Sequence, residues 1–127
     1  MAVVGLHHVQ VNVPLAREAE SHRFYGELVG MDRMERPQSL SDAGRRGVWF
    51  RAGDQEFHVF SNPTHNFDPN ASSQHPALLV DDLAALRERL SAEGYEIEEA
   101  IPIAGRARFL TRDPGGNRIE FLSLTEE

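Results

Sequence analysis

Along Leu6 to Val13 apolar and polar residues alternate, so that Val9, Val11 and Val13 share one face and His8, Gln10 and Asn12 the other. That is the pattern of a half-buried strand, and Pro14 ends it. From Leu15 to Val29 the spacing lengthens. Ala16, Ala19, Phe24, Tyr25 and Leu28 fall near a helical stripe, closed by Gly30. Met31 to Pro37 predicts a second strand, Gln38 to Arg46 a polar loop and Gly47 to Arg51 a third strand. A turn at Ala52-Gly53-Asp54 leads to a fourth strand, Glu56 to Ser61, with Phe57 and Val59 on one face and Glu56, His58 and Phe60 on the other.

Asn62 to Gln74 is rich in Pro, Asn, Ser and Asp and predicts a connector, after which the pattern begins again. His75 to Val80 is a short apolar strand. Asp81 caps a helix whose Leu83, Leu86 and Leu90 recur at helical spacing, ending at Gly94. Tyr95 to Ala100 and Arg106 to Thr111 predict two further strands. Asp113-Pro114-Gly115-Gly116 is a strong turn signal that leads into the last one. There Ile119 and Phe121 share one face, and Arg118, Glu120 and Leu122 the other.

Both halves thus read β-α-β-β-β, and matched landmarks support a duplication: His8 to His75 spans 67 positions, Gly30 to Gly94 spans 64 and His58 to Glu120 spans 62. The expected fold is α+β, a single domain over 1–127 with module one at about 1–62, a connector at about 63–74 and module two at about 75–127. Each half has one helix to cover one face of four strands. Side by side, helices outside, the two units make a curved trough, an incompletely closed eight-stranded barrel.

This arrangement gives the polar positions a common destination. His8 and His75 start the first strands of the two halves, and His58 and Glu120 lie on the last strands, so all four are expected to converge on a pseudo-two-fold axis. Three imidazoles and a carboxylate suit Zn, Ni, Fe or Mn. A Glu in mid-strand needs water, a cation or a metal nearby, and Arg106, Arg108 and Arg118 are the alternative partners that would make Glu120 a structural ion pair instead. His7, His22 and His65 read as hydrogen-bonded surface residues, and Phe24, Tyr25 and Trp49 as core or interface. Glu126-Glu127 reads as a solvated chain end.

Composition narrows the choices. A chain of 127 residues with 40% hydrophobic and 26% charged residues is ordinary for a soluble domain, and no apolar run approaches a membrane span. Met1 to Pro14 has neither a basic segment nor an apolar run with a cleavage site, so no secretory signal is expected and a cytoplasmic location is the default. No Cys is present, so any metal is held by nitrogen and oxygen. A net charge of -7 argues against nucleic acid and anionic membranes as partners, leaving a small-molecule substrate.

The chain resembles the glyoxalase, bleomycin-resistance and extradiol-dioxygenase superfamily, the vicinal oxygen chelate proteins, over almost its whole length. The resemblance rests on His8-Val9-Gln10-Val11-Asn12-Val13 with Phe24-Tyr25-Gly26-Glu27-Leu28-Val29-Gly30-Met31, on Val80-Asp81-Asp82-Leu83 with Leu90 and Gly94, and on Asp113-Pro114-Gly115-Gly116-Asn117 leading to Glu120. Val29 stands where the family usually has Leu. The resemblance implies paired βαβββ modules, a homodimer and a divalent metal held by His8, His58, His75 and Glu120. Glyoxalase I-like members are nearest in ligand spacing, which implies lyase or isomerase chemistry on chelated adjacent oxygens, with Glu120 or His58 moving the proton. Two departures bear on this. His58 stands where a glyoxalase I commonly has Glu or Gln, and Asn12 where it usually has an Arg that helps hold glutathione. The family offers three other functions: Fe(II)-dependent ring cleavage, thiol transfer onto an epoxide antibiotic, and metal-free drug binding.

Overall fold

The computed structural model describes residues 1–65 and 72–125. It forms two compact units, 1–66 and 67–127, each built on one four-stranded mixed sheet with few helices. The expected α+β class and repeated strand plan are what the structure shows.

In the first unit β1 (His8–Pro14) runs into a helical segment in three parts: a 3-10 turn at Leu15–Arg17, α1 (Glu18–Arg23) and a π turn at Phe24–Leu28. Ser21, Phe24, Tyr25 and Leu28 are its buried face, at i, i+3, i+4 and i+7. After it come β2 (Asp32–Met34), α2 (Gln38–Asp42), β3 (Gly47–Ala52) and β4 (Gln55–Asn62), in sheet order β1-β4-β3-β2. Two corrections to the sequence reading fall here. The predicted polar loop contains α2, a single short helix with no buried residue and hence no apolar stripe to betray it. The second strand is three residues long, because only Asp32, Arg33 and Met34 find partners on β3.

The second unit holds β5 (Ala77–Leu79), α3 (Leu83–Ala92), β6 (Glu98–Glu99), β7 (Arg106–Arg112) and β8 (Arg118–Leu124), ordered β5-β8-β7-β6. His75 precedes its strand rather than lying in it. Asp82, not Asp81, caps α3, its side chain accepting from the Ala85 amide at 3.0 Å. At the other end Gly94 takes φ +90, a conformation that closes the helix. The predicted strand Tyr95 to Ala100 shrinks to two residues. Residues 66–71 of the predicted connector and the chain end Glu126-Glu127 lie outside the described residues. Among the described residues no helix is long and apolar enough to cross a membrane.

Strand parity sets the cores. In the first sheet Val11, Val13, Val48, Phe50, Phe57 and Val59 are buried with Phe24, Tyr25 and Leu28. In the second, Phe109, Ile119 and Phe121 are buried with Leu86 and Leu90 of α3. The duplication extends to the strand registers. Gln10 faces His58 across the parallel β1–β4 pair, and Ala77 faces Glu120 across the parallel β5–β8 pair. His8 and His75 each stand two residues before the residue that faces the last-strand donor.

Gly47 holds β3 close to β4: a Cβ at this position would collide with the Val59 carbonyl oxygen. Gly47→Ala is therefore expected to cost about 1–3 kcal/mol through overpacking, measured by denaturant unfolding.

Candidate metal and substrate site

The face of the first sheet turned away from its helix carries His8 and Gln10 of β1, Glu56, His58 and Phe60 of β4, and Trp49 of β3. Register makes Trp49 the antiparallel partner of His58. The His58 ring is stacked on both sides. Trp49 lies parallel to it with centroids 3.9 Å apart, and His8 stacks at 4.3 Å and 19°. His58 Nε2 and Glu56 Oε1 are 2.9 Å apart, and His7 Nδ1 lies 3.0 Å from His8 Nδ1. A pocket of about 460 Å³ opens over this cluster, lined also by Arg36, Leu40, Arg45 and Val59.

Electrostatics differ from ring to ring. Burial lowers the His58 pKa below the ordinary imidazole value, with the Glu56 carboxylate opposing and the neighbouring His8 and His7 adding to the shift. The Glu56 pKa is lowered, chiefly by its hydrogen bond to His58. His22 is also lowered by burial, and its Nε2 is buried without a hydrogen bond.

The second unit brings His75 and Glu120 together. His75 Nε2 lies 3.1 Å from Glu120 Oε1, and Arg108 donates from Nη1 to the same oxygen at 3.3 Å. Arg108 Nη2 donates to the Ile101 carbonyl at 2.6 Å, which anchors the guanidinium. His75 Nδ1 lies 2.9 Å from the Ser73 carbonyl oxygen. A carbonyl only accepts, so Nδ1 carries a proton there. Nε2 of neutral His75 is then a lone pair aimed at a carboxylate, a repulsive contact unless a proton or a metal ion lies between them.

Each unit thus pairs the two donors that sequence parity assigned to it. Among the described residues, no three His, Asp or Glu side chains are grouped so as to hold one ion. Within the first unit the reason is plain. A metal lies in the plane of each ring that ligates it, at roughly 2 Å from nitrogen. The nearly parallel planes of His8 and His58 do not meet at that range, so both rings cannot bind one ion while stacked.

The alternative of an Arg partner for Glu120 is met by Arg108, while Arg118 bonds instead to Glu98 at 2.8 Å. Phe24 and Tyr25 are core as expected. The sequence reading gives no role to several pocket residues, among them Trp49, Glu56, Arg36 and Arg45. Trp49 was assigned to core or interface, although its parity, opposite to Val48 and Phe50, put it on the His58 face. Glu56 is placed beside His58 by the sequence without a role, and His7 is the exposed, hydrogen-bonded residue that the sequence predicts. Parity was again the available signal for Glu56.

Comparison with known proteins gives a consistent family. The sequence matches the profile of the Glyoxalase/Bleomycin resistance protein/Dioxygenase superfamily over residues 5–121. Among solved structures, a Bacillus anthracis protein assigned to the glyoxalase family is 34% identical with a TM-score of 0.83, covering 98% of each chain. Lactoylglutathione lyase from Agrobacterium tumefaciens is 17% identical with a TM-score of 0.69, covering 96% of this chain and 95% of that one. The fosfomycin resistance protein FosX from Listeria monocytogenes, complexed with Mn(II), is 13% identical with a TM-score of 0.78, covering 98% and 95%. The last two show likeness of fold. Comparison with curated protein sequences gives no match.

The lowered His58 pKa has a sign that can be tested. An unfolded imidazole takes up its proton at about pH 6.5, above the folded value, so stability is fully present above that pH and is lost as pH falls through the folded pKa. The metal-free protein should melt at lower temperature at pH 5.5 than at pH 7.5, and His58→Gln should flatten part of that dependence. A wild-type melting temperature that does not fall over this range would contradict it.

Proposed function

The chain belongs to the Glyoxalase/Bleomycin resistance protein/Dioxygenase superfamily, and from that premise we propose that it is a divalent-metal-dependent enzyme of glyoxalase type, a lyase or isomerase acting on a small substrate with two adjacent oxygens. The observation that carries this reading is the matched register: a His stands two residues before the facing partner of His58 in one unit and of Glu120 in the other. A repeated pairing of first-strand His with last-strand donor is what a shared ion needs from each half.

His8, His75 and Glu120 are the proposed ligands, two imidazoles and a carboxylate that suit Zn, Ni, Fe or Mn. The fit is best at His75, whose Nδ1 is fixed on the Ser73 carbonyl and whose Nε2 is thereby aimed as a lone pair. His58 joins as a fourth ligand only after leaving its stack between His8 and Trp49. The two halves come from one chain or from two copies in a homodimer.

When bound, the ion supplies Lewis acidity for negative charge developing on the adjacent substrate oxygens. The protein's own part is proton movement. Arg108 donates to Glu120 Oε1, and His75 Nε2 faces the same oxygen. Oε2 is left to take a proton from one substrate carbon and return it to its neighbour. Arg108 is a positioning residue, holding the carboxylate by one nitrogen while the other is tied to Ile101. The Trp49, His8 and His58 stack forms a wall of the pocket and limits water around the substrate.

A second reading has its own support. Glu120 is already neutralised by Arg108 and His75, which is how a metal-free binding protein would satisfy a buried carboxylate. Metal analysis separates the two. Protein purified without chelator or affinity nickel is expected to carry stoichiometric divalent metal, lost in His75→Ala. Absence of metal with no rebinding favours the binding protein.

For the enzyme, Glu120→Gln is expected to lower turnover of an α-ketoaldehyde and thiol mixture by at least about 100-fold while the circular dichroism spectrum stays native. Retained activity would remove Glu120 from the mechanism.

A further inference from the structure

Besides its imidazoles, the pocket of the first unit holds two guanidinium groups that the metal reading does not use, those of Arg36 and Arg45. Among the described residues neither makes an ion pair. Arg36 donates only a long 3.5 Å bond to Ser41 Oγ, and its Nε is buried with no partner. The Arg36 guanidinium is half-buried and has no charged partner among the described residues, so its accessible terminal nitrogens are open to an anion in the pocket. Arg45 lies with Cζ 4.7 Å from the centre of the Phe60 ring, so an aromatic face steadies it at the pocket wall.

The pocket's carboxylate does not compete for these two cations. Glu56 is engaged by His58 at 2.9 Å and lies 4.0 Å from Arg51. Leu40, Trp49, Val59 and Phe60 give the pocket apolar and aromatic walls beside its imidazoles and the polar Gln10, and a volume of about 460 Å³ is that of a small-molecule site. Two guanidinium groups beside flat apolar walls suit an oxyanion carried on an apolar body.

We propose that this pocket binds a small organic carboxylate with a flat apolar body, and that Arg36 and Arg45 are its specificity-determining residues. The carboxylate accepts hydrogen bonds from the two guanidinium groups, with geometry that a planar fork matches and a neutral amide does not. The apolar body rests against Trp49 and Phe60. The proposal rests on the reading of this pocket as the substrate site and adds the substrate class. It needs no metal, so the two ideas can fail separately.

Trp49 is the chain's only Trp, which makes its emission a reporter of this pocket. The protein is stripped of metal by chelation, freed of chelator and titrated with benzoate and with benzamide. Benzoate is expected to give a saturable change in Trp49 emission, with benzamide binding at least about tenfold more weakly. Arg36→Gln and Arg45→Gln should each weaken benzoate about tenfold while leaving benzamide unchanged. Equal affinity for benzoate and benzamide in the wild-type protein overturns the proposal even if the variants do not fold. No saturable response to benzoate at millimolar concentration also overturns it, as do folded variants that bind benzoate like the wild type. Loss of metal binding or turnover in other assays would leave these outcomes untouched.

Discussion

The Asp113 carboxylate fixes the turn on which the chemistry of the second unit depends. Oδ1 accepts from the amides of Gly115 at 2.9 Å and Asn117 at 2.8 Å, and Oδ2 from the Asn117 side chain at 3.0 Å. The residue is 3% exposed, so this charge is out of water and stabilised by donors from its own loop. The turn sets the pairing of β7 with β8, in which Leu110 faces Glu120. A slip of one residue would exchange the two faces of β8, sending Glu120 toward the core and Ile119 and Phe121 away from it. The tight connection between β3 and β4, closed at Ala52 and Gln55, does the same for His58.

With register fixed, the two units present the same positions with different physics. In the first, His58 is enclosed by aromatic rings, which disfavours its charged form, and a single carboxylate opposes that effect. In the second, the equivalent position is a carboxylate surrounded by an imidazole and a guanidinium. One unit carries a stack of aromatic rings, and the other gathers an imidazole and a guanidinium on a single carboxylate oxygen.

Much of this was legible from alternation alone. Period two placed His8, His58 and Glu120 on the faces opposite the Val, Ile and Phe cores, since any other parity would have buried a polar stripe. The near-constant offset anticipated the matched registers, and the turn chemistry of Asp113 to Gly116 is written in residues whose backbone preferences are strong. What failed was decided by three-dimensional neighbours. Tyr95 to Ala100 has strand-like composition, but only Glu98 and Glu99 reach partners on β7. The choice of Arg108 over Arg106 or Arg118 as the partner of Glu120 depends on side-chain reach and anchoring, which periodicity does not encode. The role of Trp49 was present in its parity but hidden by the general rule that large aromatics fill cores.

One pair of equivalent positions distinguishes the polar faces of the two sheets. Arg108 faces Leu122 on β8, two residues before the partner of Glu120, and Gly47 faces Phe60 on β4, two residues before the partner of His58. At Gly47 the backbone of β4 comes so near that no side chain fits. No side chain can therefore reach His58 from that position of β3; the guanidinium that β3 does offer, Arg51, lies 4.0 Å from Glu56, the residue on His58's own strand that bonds to His58. Where β7 has room for a side chain, Arg108 supplies the charge that makes a buried Glu120 tolerable without a metal. The carboxylate of the second unit is thus satisfied within its own sheet, whereas the aromatic stack of the first owes its form to close strand packing.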